Sequence, residues 1–390
     1  MKLALLKGNR FNPWHLQVFG RLRGRPEITA FRAESEIQRH FRGRDDGSLG
    51  FGYESIYFDT QRGNPFTRLK NELLYRYGGR EPRILPFHER LQKFDLIQSW
   101  ELHTDWSGEG ALARERYGTP LLVMVWDNIP FNMEHNKERR ERKKRVAAAA
   151  DCFLVHTERS RRMLDIEGVS GDRIVQIDPG VDLDVFCPGT RNRGALGLSD
   201  DEFVILFVGW LLPRKGIDFL VLAVRELLND PTLSRRKIRL LVVGSGPGRP
   251  RVERLIERVG ISDACTFAGS LPYDRMPEVY RAADVFVLPS IATREWQEQF
   301  GMALIEAMAC GLPVVATLSG AIPEIAGEAA LLCQPNDFLS LQGAISKLAT
   351  DAARRKELGE AARQRAQARF DINVYAKQLS DIYERVPRGS

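Results

Sequence analysis

Short, continuously apolar runs recur along this chain, and they constrain its fold more than any other feature. They stand at Leu3–Leu6, Asp95–Ile97, Leu121–Val125, Cys152–Val155 and Ile174–Ile177, then at Phe203–Val208, Ile238–Val243, Asp284–Leu288 and Val314–Ala316. A strand with one wet face alternates apolar and polar residues. These runs do not, so both faces of each strand must be covered. Helix-like stretches separate the runs, and strand–helix alternation over the whole length is the pattern of parallel sheets with helices on both sides. A length of 390 residues suits about two domains. The fold class read from the pattern is α/β, with two doubly wound Rossmann-like domains.

The boundary is expected between Pro188 and Asp201, where Pro188, Gly189, Asn192, Gly194 and Gly197 interrupt the periodicity before a fresh strand starts. This gives an N-terminal domain over 1–190, a C-terminal domain over 191–370 and a terminal segment over 371–385, in which Val374–Tyr383 is amphipathic. The stretch Arg21–Arg80 is rich in Arg and Gly and reads as long loops. The tail Val386-Pro387-Arg388-Gly389-Ser390 matches most of a thrombin recognition site, so residues 386–390 read as the remnant of a cleaved tag.

Composition excludes several classes. Apolar residues make up 43% and charged residues 28%, ordinary for a globular protein and unlike a disordered chain. No run approaches the roughly 18 apolar residues of a membrane span, and the apolar part of Met1–Lys7 is too short for a secretory signal. The five cysteines are scattered, with no CxxC pair, so neither a disulfide framework nor a zinc site is expected. A reducing, cytoplasmic setting follows, and no metal is expected. The net charge of +6 is concentrated in Lys137–Arg145, with seven basic and two acidic residues. That run reads as a solvated helix with i,i+4 pairs Glu138–Arg142 and Glu141–Arg145. The second reading is a peripheral contact with anionic lipid on the cytoplasmic face of a membrane. No nucleic-acid-binding module accompanies the charge.

Ligands of open α/β sheets bind beyond the carboxyl ends of the strands, and three such ends in the second half carry suggestive chemistry. After Val208 comes Gly209-Trp210-Leu211-Leu212-Pro213-Arg214-Lys215-Gly216, which sets Arg214 and Lys215 at a helix start that favours anions. After Val243 comes Gly244-Ser245-Gly246-Pro247, whose glycines permit close backbone approach. It lacks the full dinucleotide-binding spacing. Third, Glu298 precedes a helix expected to begin near Gly301 and to end at Gly311, with Glu306 in an otherwise apolar stretch from Met302 to Ala309. A partly buried carboxylate at Glu306 needs donors, and ribose hydroxyls would supply them.

This third block resembles the Glu-x7-Glu motif of retaining glycosyltransferases of family four, which have the GT-B fold. The resemblance extends over the Pro213-Arg214-Lys215-Gly216 loop, Gly244-Ser245-Gly246-Pro247, Tyr280-Arg281-Ala282-Ala283-Asp284, Ser319–Ile325, Ala329–Leu332 and the stretch Ile177–Asp182. It implies two Rossmann-like domains facing across a cleft, the first holding the acceptor and the second the nucleotide sugar, with residues 371–385 crossing back to the first. It implies a retaining hexosyltransferase that uses a UDP or GDP sugar and needs no cofactor. The acceptor would be a saccharide, a small molecule or a lipid-linked glycan. Glu298 would contact the donor sugar and Glu306 the ribose. Lys215 would bind the diphosphate, and backbone at Gly244, Phe300, Gly301 and Met302 would line the donor.

Two departures from the family pattern stand out. Trp210 occupies a position where the family usually has Arg, which leaves Arg214 to supply a guanidinium. In the first domain, Trp126-Asp127 replaces a His-Asp pair; Asp127 is read as a catalytic residue, while Arg10, His15 and His103 are read as acceptor or cleft residues. The departures keep two other readings open: a nucleotide-sugar-binding regulator with impaired catalysis, and a GT-B-fold sugar epimerase.

Overall fold

Both sheets are built from the apolar runs, and all their strand pairings are parallel. A computed structural model describes residues 1–7, 16–34, 51–59, 66 and 83–386. The first sheet contains β1 (Lys2–Leu6), β2 (Glu27–Glu34), β3 (Gly52–Tyr57), β4 (Leu96–Trp100), β5 (Leu121–Val125), β6 (Cys152–Val155) and β7 (Ile174–Gln176), in the order β3-β2-β1-β4-β5-β6-β7. The second contains β8 (Glu202–Val208), β9 (Lys237–Val243), β10 (Cys265–Gly269), β11 (Val285–Leu288), β12 (Val314–Thr317) and β13 (Leu331–Cys333), in the order β10-β9-β8-β11-β12-β13. Strand order reverses between β1 and β4 and again between β8 and β11. Connections leave these neighbours in opposite directions, which opens a crevice at their carboxyl ends.

The central strands are the ones with unbroken apolar runs; every residue of β5, β6, β11 and β12 is buried. Strands β2, β3, β10 and β13 were not expected. The last three lie at sheet edges, where one side is less covered; polar residues interrupt β3 and β10, and β13 is only three residues long. All five residues of β10 are only half-buried.

The chain divides into one unit of Met1–Ile177 with Asn373–Ser390 and a second unit of Asp178–Ile372, against the expected 190 and 370. The reason is packing. The stretch expected to be a linker is folded onto the second unit, where Arg193 is buried. Its guanidinium donates to Asp284 Oδ2 at 2.6 Å and to the carbonyls of Ala282 at 3.0 Å and Glu202 at 2.8 Å. Ten residues ahead of that stretch, at the start of the second unit, Asp178 takes a bidentate pair from Arg369, at 2.8 and 2.9 Å. In the first unit, the hydroxyl of buried Tyr383, on the last helix (Ile372–Arg385), donates to Gln98 Oε1 of β4.

The basic run forms helix Lys137–Ala149, capped by Asn136, whose side chain accepts from Arg139 N. Its cations find partners inside the first unit. Lys143 is buried against Glu167 at 2.7 Å and Glu134 at 3.2 Å, and Arg142 pairs with Asp105 and with Glu138 at 3.2 Å. The expected Glu141–Arg145 pair gives way to Lys144–Glu141 at 3.3 Å and Arg145–Glu115 at 3.5 Å. Among the described residues, no helix is long and apolar enough to cross a membrane.

Arg193→Met strands the buried Asp284 carboxylate. We expect a loss of about 3–5 kcal/mol in the unfolding transition of the second unit, read by urea titration. An unchanged midpoint would show that Arg191, which also reaches Asp284 at 2.8 Å, suffices alone.

Candidate functional site

The crevice between β8 and β11 gathers the loops singled out in the sequence. The loop leaving β8 runs through Gly209–Leu212 into a tight turn at Pro213–Lys215, then through Gly216 into helix Ile217–Asn229. The loop leaving β11 runs from Pro289 to Gly301, where helix Met302–Ala309 begins. Two backbone contacts bring these loops and their neighbours together. Gly244 has φ +129°, and a Cβ there would lie 2.0 Å from Gly209 O; Gly320, at φ +54°, would put a Cβ 2.0 Å from Glu298 O. Only glycine permits either approach. Ala321 N donates to Glu298 O at 2.9 Å, and Ile291 N donates to Arg214 O at 2.9 Å, so Glu298 and Arg214 are fixed by neighbouring loops.

Glu298 is buried, and its Oε2 accepts from Lys215 Nζ at 2.7 Å and from Ser290 Oγ at 2.6 Å. The residues expected to hold diphosphate and sugar thus touch directly. Trp296, on the same loop as Glu298, lies under two cations, with the Arg214 guanidinium 4.2 Å and Lys215 Nζ 4.9 Å from its ring centre. Phe300 is buried edge-to-face against Phe370, their centroids 5.9 Å apart. Gly301, at φ +89°, and Met302 follow as the cap and first residue of the helix, whose opening amides lack intrahelical acceptors.

Glu306 faces the other way in that helix. It is buried and accepts from Tyr280 Oη at 2.7 Å and Tyr273 Oη at 3.2 Å. Burial pushes its carboxyl up to about 7, against the pull of the two phenol hydrogen bonds. The sequence alone points to Glu298, Glu306 and Lys215. It marks Tyr280 only as part of a family-like segment, without its contact to Glu306, and gives no sign of Tyr273, Ser290 or Trp296, which approach from another element or from within a loop.

The first unit carries its own cluster at the carboxyl ends of β4, β5 and β6. Glu101, directly after β4, has a left-handed backbone (φ +61°) that a non-glycine residue rarely adopts. It accepts from Trp126 N at 3.0 Å and Asp127 N at 3.4 Å. Burial, then the nearby Asp127 charge, pushes its carboxyl up to about 8. Asp127 is buried within its own loop, accepting from Asn128 N at 2.8 Å, Ile129 N at 3.2 Å and Asn132 Nδ2 at 2.9 and 3.1 Å. His156 is buried, donates from Nδ1 to Ile177 O at 2.8 Å, and packs on Trp126 with ring centres 4.4 Å apart. Burial pulls its imidazole down to about 4, so it is neutral at pH 7. Glu101 and His156 were not foreseen, because their setting depends on strands distant in sequence. His103 is half-buried, and its carbonyl accepts from Arg142 at 2.8 Å. Arg10 and His15 lie outside the described residues. Among the described residues, no cluster of three His, Cys, Asp or Glu is placed to hold a metal.

Glu306 should make stability depend on pH. Its folded carboxyl titrates near 7 against 4.5 in the unfolded chain, so the protonated form is the one folding favours. The stabilisation is fully present below pH about 4.5, declines from there, and is gone above about 7; it amounts to about 3 kcal/mol. Thermal midpoints of the wild type should therefore fall relative to Glu306→Gln between pH 5 and 7, then run parallel. Parallel curves throughout would show that the carboxyl titrates normally.

Comparison with known proteins adds the following. Residues 189–365 match the family described as Glycosyl transferases group 1. The D-inositol 3-phosphate glycosyltransferase 2 of Catenulispora acidiphila is 34% identical over 311 residues, covering 75% of this chain and 71% of that protein. The D-inositol 3-phosphate glycosyltransferase of Stackebrandtia nassauensis is 36% identical over 310 residues, covering 74% and 68%. Among solved structures, HepE of Anabaena in complex with UDP aligns over 98% of this chain and 100% of its own, at TM-score 0.76 and 19% identity. Sucrose-phosphate synthase of Thermosynechococcus elongatus aligns over 100% of both chains, at TM-score 0.76 and 23% identity. These two similarities concern the fold.

Proposed function

The chain belongs to the Glycosyl transferases group 1 family and is a glycosyltransferase, and on that premise we propose that it moves a hexosyl group from a nucleoside-diphosphate sugar to an acceptor hydroxyl with retention of configuration. The observation that carries this reading is the Lys215–Glu298 pair at the β8/β11 crevice, 2.7 Å apart beside Ser290. A cation for the leaving phosphate and a carboxylate for the sugar hydroxyls thereby meet where the glycosidic bond to phosphate would lie.

As that bond breaks, negative charge grows on the departing diphosphate. Lys215, Arg214 and the opening amides of helix Met302–Ala309 stabilise it through fixed charges and dipoles. Glu298, engaged by an ammonium and a hydroxyl, is suited to orienting the sugar and poorly suited to attacking it. The acceptor's proton goes to an oxygen of the departing phosphate, and no protein nucleophile takes part. Glu306 receives the ribose hydroxyls. Asp127 holds its own loop through both carboxylate oxygens and acts as a positioning residue on the acceptor side. A uridine donor is the first to test, since HepE is held with UDP. A polyol phosphate is the first acceptor, since the relatives carry D-inositol 3-phosphate in their names.

Incubation with UDP-hexoses and candidate acceptors, followed by NMR of the anomeric carbon, tests the reaction. A product of the donor's configuration supports the reading; an inverted product or an isomerised sugar overturns it. Lys215→Ala should weaken UDP binding by about 10- to 100-fold, the worth of one charge-assisted hydrogen bond. Glu306→Gln should also weaken bare UDP, whereas Glu298→Gln should spare it and lose transfer. Equal UDP affinities for the two glutamine variants would show the roles to be misassigned.

A further inference from the structure

We propose that Trp296 is a positioning residue of the diphosphate subsite, its indole holding the Arg214 guanidinium so that Arg214 serves as the second cation beside Lys215. The inference rests on reading the crevice as a nucleotide-sugar site.

Two cations share one indole, at 4.2 Å for Arg214 and 4.9 Å for Lys215, both within the roughly 6 Å over which a tryptophan face attracts positive charge. The loop that carries the ring is itself held in place. Thr293 N donates to Trp296 O at 2.7 Å, closing a tight turn, and Ile291 N ties the start of that loop to Arg214 O at 2.9 Å. Arg214 is therefore gripped by its backbone and by its side chain, through the same loop.

The chemistry favours this division of labour. The Lys215 ammonium already donates to Glu298, so part of its charge is committed to the sugar side. A guanidinium differs from an ammonium in that it can lie flat on an aromatic ring and still offer N–H groups at its edge. Stacking also removes rotamer freedom from a long side chain before the ligand arrives, a cost that binding would otherwise carry. Position 210 cannot supply the second cation, because it holds Trp210, an uncharged side chain.

The test is calorimetric titration of UDP and of uridine into the wild type and the variants Trp296→Leu, Trp296→Phe, Arg214→Ala and Arg214→Lys, with thermal midpoints measured alongside. Trp296→Leu should bind UDP about tenfold more weakly, the upper part of the range for a cation–π contact, with uridine unaffected. Trp296→Phe should stay within about threefold of wild type. The double variant Trp296→Leu/Arg214→Ala should lose less than the sum of the two single losses, since both changes remove the Arg214–Trp296 contact. Arg214→Lys keeps the charge but loses the flat stack, and its weaker UDP binding reads the same contact if Trp296→Leu is too unstable to assay.

Several results would overturn the proposal: unchanged UDP affinity in Trp296→Leu or Arg214→Lys, equal losses for UDP and uridine, or additive losses in the double variant. If the wild type binds neither UDP nor GDP, the donor-site reading falls and takes this inference with it. If the wild type binds UDP and Lys215→Ala weakens it while Trp296→Leu does not, the donor site stands and only the role of Trp296 is lost.

Discussion

Backbone-to-backbone approach of the loops at the carboxyl edge of the second sheet is the constraint on which the rest of the site depends. Side chains of ordinary size would hold these loops apart. Glycine at 244 lets the β9 loop rest on Gly209 O, and glycine at 320 lets the β12 loop rest on Glu298 O. The peptide of Glu298 is gripped by the next loop before its carboxylate makes any contact, with Ala321 N donating to its carbonyl. Precise placement of a reacting group on a loop requires this kind of support, because a loop alone is a mobile scaffold.

Placing charge in that frame has an energetic cost. A carboxylate and an ammonium taken out of water recover only part of their hydration by pairing. Glu298 is buried with a lysine and a serine, and Glu306 is buried with two phenols. Glu306 is not the choice of a chain selected for stability alone, since an apolar residue at its place in helix Met302–Ala309 would pack without that cost. Polar groups kept in an apolar helix at the expense of stability are better explained by binding than by folding.

How far the sequence disclosed this can be followed residue by residue. The central strands were legible because burial on both faces leaves an unbroken apolar run; β5 and β6 were read with their observed limits. The edge strands β10 and β13 were not legible, because β10 is half-buried along its whole length, β13 is only three residues long, and their pairing is a tertiary fact. Glu298 and Glu306 were visible as two acidic residues spaced across the start of an apolar helix, and Lys215 as a cation after a glycine-terminated strand. Their partners were invisible for one reason. Tyr280 lies 26 residues from Glu306 in the chain, and nothing in a phenol's local sequence says that it will point at a distant carboxylate. Glu101 is a harder case, since its left-handed backbone is imposed from outside, against the preference of the residue itself.

The contrast between Glu298 and Glu306 ties the fold to the chemistry. They sit eight positions apart, Glu298 in the loop ahead of helix Met302–Ala309 and Glu306 within it, and they meet different neighbours. Glu298, ahead of the first turn, reaches across to the β8 loop and meets a cation. Glu306 points into the second unit and meets Tyr273 and Tyr280, which donate hydrogen bonds but carry no positive charge. A carboxylate beside an ammonium is paired charge to charge. One held up to about 7 by burial is part-protonated at neutral pH, and hydroxyl donors from a ligand would favour its charged form. Lys215, for its part, ties Glu298 to the loop that leaves β8. One short helix and the loop before it, joined through a left-handed glycine, thus give two carboxyl groups partners of different charge.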